Sequence, residues 1–176
     1  MSHQSTHNDT YNDILAFVEH DRGVTQPISV YRSTSDLTLV VPRDLIIEKL
    51  TKLKNDHHFI YLVDMVGTDR FVEGDRFEVL YNLIDLKQGR RVVIKTLADE
   101  DDPVLPSASG IWTNASWHER EIFDMIGVHF TDHPDLRRVY LPEDFDYFPL
   151  RKEFPLLGIP GSIDLPTSTP DQEASS

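Results

Sequence analysis

RFEVLYNLIDLKQGRRVVIKTL, residues 76–97, decides the fold. Two strand-like segments, Arg76–Leu86 and Arg90–Leu97, flank Lys87-Gln88-Gly89-Arg90. That join reads as a hairpin turn, with Gly89 supplying a φ that other residues adopt only at a cost. Working upstream, Phe59–Val66 is a third strand-like segment. Before it, Pro42 suits a first helical position, and Leu45, Ile46, Leu50 and Leu53 form an apolar stripe. Asp44 early and Lys49, Lys52 and Lys54 late suit the helix dipole, so this helix should end near Asn55. Ile28–Tyr31 and Leu37–Val41 read as short strands around a polar Ser33–Asp36 turn. Tyr11, Ile14, Leu15 and Val18 recur at helical spacing after Thr10, with Gly23 as a stop. The order helix, two strands, helix, three strands predicts a two-layer α+β domain over residues 10–106. Its helices should lie on one face of a mixed sheet of about five strands.

Composition narrows the function. The chain has 176 residues, 39% apolar, enough for one domain with a real core. Its net charge of −13 disfavours phosphate backbones and anionic lipid heads, so no nucleic-acid partner is expected. There is no cysteine. An iron–sulfur cluster, a disulfide framework, a thiol nucleophile and a Cys-type zinc site in this chain are therefore excluded. Met1–Asn8 lacks the basic and apolar regions of a signal peptide, and Phe59–Val63 is far too short to span a bilayer. Membrane contact is expected only through a partner. No dinucleotide loop, P-loop or nucleophile elbow is present.

Residues 1–9 read as a flexible polar lead, with His3 and His7 solvated. Asp99–Asp102 reads as a solvated acidic loop, since no glycine-bearing ligand spacing accompanies it. Ser107–Trp112 suggests a helical turn. Ser116–Ile126 predicts a better-defined helix, with Ser116 and Glu119 as a capping box and Gly127 at the position after the helix end. From Val128 to Gly158 large apolar residues alternate with prolines and paired charges without a period. Such a segment makes no core of its own, so it should lie extended over another surface, its own domain or a partner. Residues 159–176, rich in Pro, Ser and Thr, read as a flexible tail.

The charged helix 118–124 admits three readings. Glu121 and Asp124, sharing a face with Trp117 and Arg120, could do acid/base work. His118, Asp124, His129 and His133 could gather a metal, though their spacing fits no ligand pattern. The structural reading has Glu119 capping the helix while Arg120, Glu121 and Asp124 pair with the following segment or a partner. It outweighs the others, because charge-dense helix faces are more often ion-paired than catalytic.

The run Glu119-Arg120-Glu121, Asp124, Gly127, Phe130, His133-Pro134, Leu136 and Arg138 resembles the signature of the thirty-kilodalton subunit family of respiratory complex I, the NADH:quinone oxidoreductase of bacteria. Its flanks, Ile111-Trp112 and Trp117 before and Leu141–Phe145 with Pro149-Leu150-Arg151-Lys152 after, agree. One position departs: Tyr147 stands where the family usually has glycine. The resemblance implies a hydrophilic-arm subunit on the cytoplasmic side of the bacterial inner membrane, carrying no catalytic residue, cofactor or metal. Flavin, iron–sulfur clusters and quinone would sit in partner subunits of a hetero-oligomer, with this chain beside the subunit that shapes the quinone pocket. Residues 107–158 would then be a helix and partner-docking segment. Trp117, Glu119, Arg120, Glu121, Asp124, Gly127, Phe130, His133, Pro134, Arg138, Pro149, Arg151 and Lys152 are its motif or interface residues. Of these, Arg120, Glu121, Asp124 and Arg138 should order the segment, and Arg151 and Lys152 should lie nearer the partner. Alternatives are the equivalent subunit of a membrane-bound hydrogenase or of a quinone oxidoreductase not fed by NADH, a free-standing acid/base enzyme, and an acidic adaptor.

Overall fold

The computed structural model describes residues 11–14, 29–32 and 37–155. The expectations for residues 1–9, Gly23, Ser33–Asp36 and 159–176, and for most of the first helix, lie outside these. Residues 12–14 are helical. The elements are β1 (Ser29–Arg32), β2 (Leu37–Val40), α1 (Ile46–Asn55), β3 (Tyr61–Asp69), β4 (Phe77–Asp85), β5 (Arg90–Ala98), β6 (Val104–Pro106), α2 (Ala115–Ile126) and β7 (His129–Thr131).

β1 to β5 form one mixed sheet in the order β1-β2-β5-β4-β3. β4 and β5 are the hairpin, in register from Phe77 opposite Ala98 to Asp85 opposite Arg90. Gly89 in the turn has φ 64°. The turn carries a feature its four residues do not reveal. The Asp85 carboxylate accepts the Lys87 and Gln88 N–H groups and both Nε and Nη2 of the buried Arg90. β2 joins β5 in parallel, and the remaining pairs are antiparallel.

Along β4, alternate residues Phe77, Val79, Tyr81 and Leu83 are buried, as are Val92 and Ile94 on β5. Ile46, Leu50 and Leu53 of α1 and Ile122 and Ile126 of α2 join the same apolar cluster, so the helices share the sheet's inner face. α1 begins four residues later than Pro42 suggests. The Pro42 carbonyl accepts the Leu45 N–H three residues on, and the first helical bond runs only from Lys49 to Leu45. β3 runs from residue 61, not 59, because His58, at φ 63°, turns the chain out of α1 and leaves Phe59 in the core.

α2 lies across β3, and Gly67 allows the approach: a Cβ there would stand 2.8 Å from Ile122 Cγ2 and Ile126 Cδ1. Its entry is fixed by two side-chain bonds to β3 and the residue before it, Asn114 Nδ2 to the Leu62 carbonyl (2.8 Å) and Trp112 Nε1 to that of Ile60 (3.0 Å).

β6 and β7 pair in parallel, Leu105 opposite Phe130. The sequence pattern predicts neither strand. Val128 and Phe130 are buried in the same cluster as Leu105 and Leu37. The core therefore crosses residue 106, and the start of the segment expected to lack a core belongs to it.

Candidate functional site

α2 places its charged residues on opposite faces. Glu119 points inward. The helix begins at Ala115, so Ser116 lies inside the first turn, and Asn114 at the cap position makes no side-chain cap bond. The capping box is thus replaced by another arrangement. Glu119 Oε1 accepts the Ala108 N–H and Oε2 the Ser107 hydroxyl, each at 2.6 Å. Burial pushes its carboxyl up to about 7, against these two donors, which favour the charged form. His133 packs beside it, Nε2 3.8 Å from Oε2, with both side chains fully buried.

Asp124, also fully buried, faces the segment that follows. Its Oδ2 accepts the N–H groups of Val139, Tyr140 and Leu141 at 2.9, 2.7 and 3.1 Å, and Oδ1 accepts Arg138 Nη1 at 2.7 Å. Burial opposes its ionisation, but the Tyr140 N–H, Arg138 and the other two amides outweigh it and hold the carboxyl below its ordinary value. Arg120 donates to the carbonyls of Arg137 and Arg138 and lies over the exposed Trp117 ring. Glu121 takes no part in this anchoring. Gly127 ends α2 in the left-handed conformation, φ 85°, as its position predicts.

The segment then closes on its own domain. Arg151 Nε donates to the Ile126 carbonyl (2.7 Å), and its guanidinium lies over Phe77 and Phe148. The Lys152 N–H donates to Asp69, whose carboxylate is clamped by Arg76 at 2.7 and 2.8 Å. Arg76 also bonds Glu100 and Glu153. Arg76 is the main cause that holds the Asp69 carboxyl well below the usual carboxylate range. Both residues expected nearer a partner make contacts within the chain: Arg151 is half-buried in them, and Lys152 is tied through its backbone while the residue stays exposed. The physical reason is Asp69, a buried carboxylate with lone pairs to fill, which draws residue 152 onto the β3–β4 turn.

Pro134 is exposed and Pro149 half-buried. Tyr147 stands outside the left-handed region and packs edge-on against Phe145 and Phe154. His118 faces Asp64 at 3.6 Å, and His129 contacts the Phe123 ring. Together with Asp124 and His133 they are not gathered. Among the described residues no group of three His, Asp or Glu is arranged to hold a metal. Asp102 pairs with Arg43 on the surface. Sequence reading misses Asp69 and Arg76, whose signal is an acid and a base bracketing a Gly74-containing loop, and Ser107, which carries no local signal.

This fold and motif define a class: a two-layer α+β subunit domain whose charged signature braces its own C-terminal segment. A family model described as respiratory-chain NADH dehydrogenase, 30 Kd subunit, matches residues 39–159. The chain belongs to that family. It is 47% identical over 123 residues to the C subunit of the NADH-quinone oxidoreductase of Phenylobacterium zucineum, covering 70% of this chain and 58% of that protein. The corresponding protein from Sinorhizobium medicae is 37% identical over 153 residues, covering 86% and 75%. The matched part thus spans little more than half of the first of these relatives. A solved structure of the trypsin-resistant fragment 1–134 of Nqo5 superposes with a TM-score of 0.64 at 28% identity, covering 72% of this chain and 99% of that one. A chain of an archaeal membrane-bound sulfane sulfur reductase shares the fold, with a TM-score of 0.69 at 23% identity, covering 82% of this chain and 85% of that chain.

Proposed function

We propose that the chain is a cofactor-free, non-catalytic subunit in the peripheral arm of a proton-translocating NADH:quinone oxidoreductase. It braces the subunit that shapes the quinone pocket and contacts the cluster-bearing subunits, on the cytoplasmic side of the bacterial inner membrane. One observation carries this reading. Four charged motif groups, Asp124, Arg120, Arg138 and Arg151, are each engaged in ordering residues 137–152 against α2. A carboxylate that already accepts four hydrogen bonds is a strut, poorly placed to act as a base. The names of the relatives support the complex. Large exposed side chains, among them Phe71 (64%), Tyr140 (59%) and Leu150 (57%), supply apolar surface for neighbours.

Replacing Arg138 by Ala in cells should lower the assembled complex several-fold, read by native gel and by NADH:quinone activity of membranes, while the purified variant keeps its sheet. Normal subunit content and normal quinone reduction would refute the bracing role. Recovery of the wild-type chain from solubilised membranes should bring cluster-bearing and quinone-pocket subunits. Recovery with hydrogenase subunits, or alone, would replace this reading with another.

A further inference from the structure

Glu119 is fully buried, yet among the described residues no Arg or Lys pairs with it. Its neighbour His133 supplies no compensating charge. The Asp135 N–H donates to His133 Nδ1 (3.0 Å), which must therefore be bare. Nε2 faces the Ser116 carbonyl at 3.0 Å, an acceptor only, so Nε2 carries the hydrogen and the ring is neutral. From β4, Tyr81 points its hydroxyl into the core, wholly buried and without a hydrogen-bond partner among the described residues. The Glu119 charge makes that hydroxyl still harder to ionise. The surroundings of the carboxyl are thus uncharged: Ser107 and Ser109 after β6, Ser116 of α2, His133 after β7, and Tyr81 of β4.

One path leads out. Ser107 Oγ lies 2.6 Å from Glu119 Oε2 and 2.7 Å from Ser109 Oγ, and Ser109 is half-buried. Either serine of that pair can donate to the other. With Glu119 ionised, Ser109 donates to Ser107 and Ser107 to the carboxylate. With Glu119 protonated, its O–H donates to Ser107 Oγ and the Ser107 hydrogen turns to Ser109. Ser107 Oγ also accepts the Ser109 N–H (3.1 Å) and stays satisfied both ways. The three oxygens form a relay that runs in either direction.

We propose that Glu119 is a proton-binding site, loaded and emptied through Ser107 and Ser109, and that its ionisation loosens the joint tying the exits of β6 and β7 to α2. The site rests on this chain alone and stands whether or not the bracing role does. Its carboxyl is raised from 4.5 to about 7, so the folded chain binds this proton more tightly than the unfolded chain does. A raised acid favours the folded state below pH 4.5. That advantage fades as pH climbs to about 7 and is gone above it.

Infrared spectroscopy of the full chain tests this. A protonated-carboxyl C=O band should be present at pH 6, disappear with a midpoint near 7 and be absent in Glu119→Gln. Between pH 5 and 8.5 the wild-type melting temperature should fall by several degrees relative to Glu119→Gln. Ser107→Ala, which removes a donor to the ionised form and keeps the carboxyl, should move the midpoint upward. A midpoint below 5, or a Glu119→Gln melting profile parallel to wild type, overturns the proposal. Should Glu119→Gln fail to fold, an unmoved midpoint in Ser107→Ala overturns the relay.

Discussion

Replacing Asp124 by Ala withdraws one acceptor from four donors at once. Arg138 Nη1 and the N–H groups of Val139, Tyr140 and Leu141 all end on this carboxylate within 3.1 Å. Hydrogen bonds to a charged group contribute about 1.5–3 kcal/mol each, which would sum to about 6–12 kcal/mol. The sum overstates the loss, because residues 138–141 are half-buried or exposed and rehydrate once released. Breaking a buried pair by removing one partner costs about 3–5 kcal/mol, and that range is the expectation here. For a chain of this size it corresponds to a melting temperature lower by about 10 °C. Urea unfolding at pH 7 measures the loss. Limited trypsin digestion locates it, with faster cleavage after Arg137, Arg138, Arg151 and Lys152. Asp124→Asn, keeping one acceptor oxygen, should fall between. Glu121→Ala, three residues away on the same helix and outside the anchor, should stay within about 0.5 kcal/mol. The pH dependence has a definite sign. A carboxyl held low stabilises the fold above its unfolded value of 3.8, and the gain is lost as pH falls below that value. The gap between wild type and Asp124→Ala should therefore narrow in acid. A loss under about 1 kcal/mol at pH 7, or an equal loss at pH 7 and pH 3, would refute the anchor.

Two further outcomes follow from backbone geometry. Gly127→Ala forces a side chain into φ 85° and sets its Cβ 2.7 Å from Arg151 Nη2 and Phe148; calorimetry should show a loss of at least about 1–2 kcal/mol. Gly67→Ala drives a methyl into Ile122 and Ile126, branched side chains on a packed helix; denaturant titration should show about 1–3 kcal/mol lost to overpacking.

The hairpin 76–97 is legible because its two strands are local to each other and its turn carries the glycine it needs. The end of α2 is legible for the same reason, one residue with one backbone requirement. The start of α2 is not. Ser116 and Glu119 have capping-box spacing, but spacing does not tell which residue begins the helix. Once Ala115 is the first helical residue, Glu119 turns toward the sheet. β6 and β7 are three residues each, held by pairing across 22 intervening residues, and leave no local period. The charged motif reads as structural, and Asp124 with Arg120 and Arg138 takes the ordering role expected of it. Glu121 does not, and the surface that residues 137–152 cover is this chain's own. Asp69 and Arg76 explain why, and a contact spanning 83 residues has no trace in neighbouring letters.

The parallel pairing of β2 with β5 has a consequence for synthesis. When β2 leaves the ribosome, β1 is the one of its two sheet neighbours among the described residues already made. Val92 to Lys95, which complete its other edge, are translated some 55 positions later. The β3–β4 and β4–β5 ribbons can zip up as they emerge, since each closes a short loop. The nascent N-terminal third must therefore wait beside a growing three-stranded ribbon, and its docking onto β5 closes the sheet.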